Sequence, residues 1–377
     1  MRSRELGRLG YFPALFFAAY LVAGSGGGCA PSGTTGNPAN TGGTSGVPGG
    51  AGGSAATGGS LGTGGSLIGT GGTEASSTGG GTATPGNIFK QCRFHFGTSS
   101  GKVTSALLPE LDLVDSGWLT SATFGWSRTC SSTAAGGQAA GLVPTVFGYV
   151  AAGMVKASHS LCDCNVTGCS GGNLCQYGSQ YITQDWASIL AAYTSHSAGF
   201  AACMGGRHII FRMEPDWYQY IGNGQSQPWT AAEAGTMMTA LVQALGSSLP
   251  SAVFSMDISP WIGNNGASWY PNFDMSLFTF INTSGGNSDG SIPKIRAGNN
   301  MTWAGVHQVT GKPILADTGY GAAGASTGED PTWNVAANIN ARMLEGVIAI
   351  IQPNPSATWG DTVTGMRSQL NTPPNCY

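Results

Sequence analysis

The chain has 377 residues, of which 41% are apolar and 9% charged, and its formal net charge is −3. No basic run occurs beyond the first residues, so electrostatics give no support for a nucleic-acid partner. So few charges suit a neutral ligand, such as a sugar polymer, better than a phosphorylated one.

Arg2, Arg4 and Arg8 precede an apolar stretch at 11–24 and small residues up to 28. That order reads as a secretory signal, too short for a membrane span. Cys29 follows directly and is a candidate lipid acceptor, with plain cleavage as the alternative. Residues 29–87 repeat Gly, Thr and Ser and have almost nothing apolar to bury, so they read as a flexible tether. Apart from Cys29, eight cysteines remain, an even number that fits four disulfides in an exported chain, their pairing left open. The cluster "CDCNVTGCSGGNLC" (162–175) matches no zinc spacing and is read as disulfide-bonded, so no metal or other cofactor is expected.

Residues 88–377 are enough for one large domain or two small ones. Eight apolar runs recur along them, at 89–98, 120–129, 142–150, 208–215, 252–260, 274–282, 312–319 and 346–353. Several connections read as helices, including 230–245 and 331–345. Eight strands with mostly helical connections predict a single (β/α)₈ TIM barrel, and no glycine-rich phosphate loop follows the first strand to favour an open sheet.

Active sites of such barrels lie at the C-terminal ends of the strands, and period-two alternation selects the inward side chains. In "HIIFRMEP", Ile210, Arg212 and Glu214 share a face; in "KPILADTG", Leu315 and Asp317 do; in "AVFSMDISP", Ser255 and Asp257 do. His95 is placed at the end of the first strand, Arg128 after the second, and Gln352 at the end of the eighth. Polar groups therefore gather at one end of the barrel. Salt-bridge partners or caps would be the plain reading of each one singly.

Acids at the ends of strands four and seven resemble those of the retaining glycoside hydrolases of the large (β/α)₈ clan that includes cellulases, xylanases and mannanases. "RMEP" is similar to the motif that carries the clan's acid/base, and "KPILADTGYG" to the seventh-strand motif that carries its nucleophile. "FR" before the acid, "WYPNFD" (269–274) and the tryptophan-bearing segment after strand seven resemble glycoside hydrolase family 26 in particular. The resemblance implies Glu214 as general acid/base and Asp317 as nucleophile, with Asp257 in reserve. Met213 and Asp317 depart from it, since the clan usually has Asn or His and Glu there.

Trp126, Trp217, Tyr218, Tyr220, Trp261, Trp269, Tyr320 and Trp359 fall in or near the expected upper loops, where flat rings would stack on the apolar faces of sugars. Together with His95, Arg128, Arg212, Asp257 and Gln352, the aromatics Trp126, Trp217, Tyr218, Trp261 and Tyr320 make up the expected substrate-binding set. The expectation is an exported or surface-tethered, monomeric, endo-acting hydrolase of β-linked polysaccharide. A non-catalytic sugar-binding barrel and a surface adhesion protein stay open as alternatives.

Overall fold

The computed structural model describes residues 88–125, 130, 141–164, 166, 168–222, 224–284, 288–319 and 328–377. Eight strands form a closed barrel: β1 His95–Ser99, β2 Leu113–Leu119, β3 Val143–Gly148, β4 Ile209–Met213, β5 Ala252–Ile258, β6 Phe280–Thr283, β7 Ile314–Asp317 and β8 Val347–Gln352. Each runs parallel to the next, and β8 closes on β1 with His95 opposite Ala349 and Thr98 opposite Gln352. The helices among the described residues are α1 Val150–His159, α2 Leu174–Gln184, α3 Trp186–Met204, α4 Ala231–Gly246, α5 Trp303–Thr310, α6 Ala336–Leu344 and α7 Trp359–Arg367. None is long and apolar enough to cross a membrane.

Strands β3 to β8 are buried along their whole length, which is why they read as continuous apolar runs. Leu113, Val143, Ile210, Val253, Phe280, Leu315 and Ile351 fill the barrel, and Ile88 and Phe89 plug it from below. Ile209, Phe211 and Met213 lie instead in the shell between sheet and helices. Alternation therefore holds through β4, and Met213 is an outward core residue. Helix α4 begins with the reciprocal bonds of a capping box, Thr230 with Glu233. Helix α1 crosses the sheet so closely that a Cβ on Gly153 would strike the Thr120 carbonyl.

All eight cysteines of the described domain pair: Cys92–Cys376, Cys130–Cys203, Cys162–Cys169 and Cys164–Cys175. The first of these fastens the two ends of the barrel chain together, beside a backbone bond from Phe89 N to Tyr377 O of 3.1 Å. The 162–175 cluster forms two short-range disulfides that tie the α1–α2 connection.

Two expectations need correction. The second strand is Leu113–Leu119, not 120–129. The first strand starts at His95, so that residue opens β1 at the N-terminal end of the barrel instead of closing it. There His95 is buried, stacked on Phe89 at 3.8 Å between centroids and 3.4 Å from Asp112 through Nδ1. It belongs to the floor. Its removal from water lowers its pKa, against the pull of Asp112.

Candidate active site

A cavity of about 460 Å³ opens at the C-terminal mouth of the barrel. Asp115 and Trp118 of β2, Phe147 of β3, Asp317 of β7, Lys102 after β1 and Pro353 after β8 line it. The contribution of β2 depends on a bulge: its register with β3 slips between Asp115 and Trp118, and Gly117 there has φ 105°. Such a bulge re-aims side chains beside a site. Here it allows Asp115 and Trp118 both to reach the cavity, with the Gly117 N–H donating to Asp115 Oδ1 at 3.0 Å.

Arg212 lies fully buried beneath this cavity, and it joins three strands. Its Nη1 donates to Asp317 Oδ2, its Nη2 lies 2.9 Å from Asp115 Oδ1, and its guanidinium carbon sits 3.5 Å over the Phe147 ring. The contact to Asp115 is off the line that a hydrogen bond needs, so Nη2 and Nε keep N–H groups with no acceptor among the described residues. Asp317 is 2% exposed and also accepts from the Gly319 N–H at 2.6 Å. Burial raises its pKa to about 6; Arg212 opposes the rise and Asp115 adds to it. Trp118, half-buried, stacks on Phe147 at 4.2 Å and 23°, which makes a flat aromatic wall beside the carboxylates.

Glu214 is also fully buried, but it faces elsewhere. Its φ of 32° breaks the alternation of β4, and its carboxylate accepts from Tyr193 Oη, from Ala151 N at 2.7 Å and from Ala152 N at 3.4 Å. These amides belong to the first turn of α1, whose free N–H groups and dipole favour an acid. Burial nevertheless raises Glu214 to about 7 against those bonds. Glu214 does not line the large cavity. It shares with Asp257, Tyr218 and Trp269 a crevice of about 10 Å³, too small for more than one water.

Asp257 accepts from Ser284 Oγ and is raised to about 7, chiefly by burial. Asp216 lies nearby at φ 72°, and burial with neighbouring Asp163 raises it as well. Arg296 is held here by the Ser284 carbonyl at 3.2 Å and lies 5.1 Å over the Trp261 ring, which is 61% exposed.

The remaining candidates divide. Trp217 is a core residue, with its Nε1–H on the Ala234 carbonyl at 3.0 Å and its ring among Tyr220 and Trp229. Tyr218 is half-buried against Trp269. Gln352 points away from the cavity, accepting from Asp330 N at 2.7 Å and donating to Asn334 Oδ1 at 3.1 Å. Trp126, Arg128, Tyr320 and Cys29 lie outside the described residues. Sequence reasoning missed Asp115, Trp118 and Phe147; the acid and tryptophan of "VDSGW" were the available signal.

No family model and no curated relative matches the chain. Among solved structures it is similar to a Cellulomonas fimi endo-β-1,4-mannanase double mutant, at TM-score 0.43 and 11% identity, covering 70% of this chain and 66% of that one. A GH26 β-mannanase from Bacteroides ovatus gives TM-score 0.48 and 9% identity, covering 76% and 92%. The carboxyl transferase domain of Rhizobium etli pyruvate carboxylase gives 0.36 and 13%, covering 77% and 46%. Likenesses with TM-scores below 0.5 decide nothing about this chain's fold or function.

Proposed function

We propose that the chain is an exported glycoside hydrolase that cleaves β-glycosidic bonds of a neutral polysaccharide at the C-terminal mouth of the barrel. One observation carries this reading: the cavity has a buried carboxylate on its floor, fixed by a guanidinium, and an aromatic wall beside it. Asp317 is the reacting anion in this reading. With a pKa of about 6 it is mostly ionised at neutral pH, and Arg212 and the Gly319 N–H orient it. Its attack on an anomeric carbon forms a glycosyl-enzyme ester, which water then hydrolyses. A second carboxyl group has to protonate the leaving oxygen. Trp118 offers the flat apolar surface on which a sugar ring stacks. The signal-like N-terminus and the tether fit a role outside the cell.

Reducing-sugar release from a panel of glucans, mannans and xylans tests the reading. The unaltered chain is expected to act on at least one, and Asp317→Asn to abolish turnover. A barrel that binds sugars without cleaving them is the second reading, favoured by the protein donors that occupy both oxygens of Glu214. Retardation by a polysaccharide in affinity electrophoresis, without hydrolysis, would decide for it.

A further inference from the structure

We propose that Asp115 of β2 is the second catalytic carboxyl group, the proton donor and later the base, acting opposite Asp317 across Arg212. The inference rests on the glycosidase reading above and names a residue that the acid motif of β4 does not contain.

The two acids face one cavity, whereas Glu214 and Asp257 open onto the small crevice. Asp115 and Asp317 address different terminal nitrogens of the same guanidinium. The two carboxyls therefore converge on one planar fork at the floor of the cavity. Asp115 is also the more exposed of the two, at 8% against 2%. Among the described residues, two nitrogens of Arg212 keep N–H groups without an acceptor, so the place is incompletely satisfied by them.

The steps balance. Asp317 gives an electron pair to the anomeric carbon, and the glycosidic C–O bond breaks with its pair on the leaving oxygen. That oxygen takes the proton of Asp115. In the second step Asp115 removes a proton from water, the water oxygen bonds to the anomeric carbon, and the ester bond to Asp317 breaks with its pair returning to the carboxylate. The product keeps its anomeric configuration.

The test compares Asp115→Asn with Glu214→Gln on whichever polysaccharide the unaltered chain cleaves. Asp115→Asn is expected to lose about 10²–10⁴-fold in kcat. Glu214→Gln should lose far less. Asp115→Ala with azide and an activated aryl glycoside should yield a glycosyl azide of retained configuration, and this rescue also shows that the variant folds. Labelling of the unaltered chain by a 2-fluoro glycoside should place the ester on Asp317. Activity preserved in Asp115→Asn, or an azide product of inverted configuration from Asp115→Ala, overturns the inference alone; a label on Glu214 or Asp257 overturns it together with the role of Asp317. Absence of hydrolysis by the unaltered chain removes the glycosidase reading and the inference with it.

Discussion

Replacing Glu214 by Gln gives the most direct measure of what holds that acid in the fold. Burial raises its pKa from the ordinary 4.5 to about 7. Between those values the native chain keeps a proton that the unfolded chain has released. The stabilisation is therefore complete below about pH 4.5 and is lost as the pH rises through about 7. At about 1.4 kcal/mol per pH unit, the window is worth about 3 kcal/mol. Gln cannot ionise, yet its carbonyl can still accept from Tyr193 and Ala151. The urea-unfolding free energy of Glu214→Gln, followed from pH 4 to pH 8, should therefore fall by about 3 kcal/mol less than that of the unaltered chain. Some slope should remain, because Asp257 and Asp317 are also raised, from 3.8 to about 7 and about 6. Parallel curves for the two proteins would refute the argument, since Glu214 would then ionise alike in the folded and unfolded chains.

Trp118→Ala should raise KM for the cleaved polysaccharide about 2- to 12-fold with kcat nearly kept, the loss of one stacking surface worth about 0.5–1.5 kcal/mol; a fall in kcat at constant KM would contradict a binding role. Replacing Cys92 and Cys376 together by Ala frees a loop spanning 284 residues. It should cost about 2–5 kcal/mol in denaturant unfolding, and no loss would mean that the floor contacts alone fasten the chain ends.

Much of the barrel was legible because fully buried parallel strands leave long apolar runs. "HIIFRM" and "KPILAD" are such runs, and β4 and β7 lie within them. The errors have local causes. The 89–98 run is apolar partly because Phe89 plugs the floor and Phe94 packs under the helices, so β1 begins later than the run does. Strand β2 carries Asp115, Ser116 and Gly117 through its bulge, and these interrupt the apolar signal that identified the other strands. Missing that strand also hid Asp115 and Trp118, half of the cavity's chemistry.

The acid of "RMEP" shows a different limit. Alternation assigns a side chain to a face only while the backbone stays extended, and β4 ends at Met213. At Glu214 the backbone enters the left-handed region, a strain on the order of 1–3 kcal/mol that surrounding structure must impose. The imposing contacts are identifiable: the Glu214 N–H continues the sheet to the Gly148 carbonyl at 2.8 Å, while its carboxylate is drawn to the start of α1 and to Tyr193. Glu214 thus joins the β3–α1 turn to β4, and Arg212 becomes the last inward side chain of that strand. A fully buried guanidinium with no acid of its own strand to pair with must find anions on others. It finds Asp115 on β2 and Asp317 on β7, so the chemical focus of the mouth lies between those two strands.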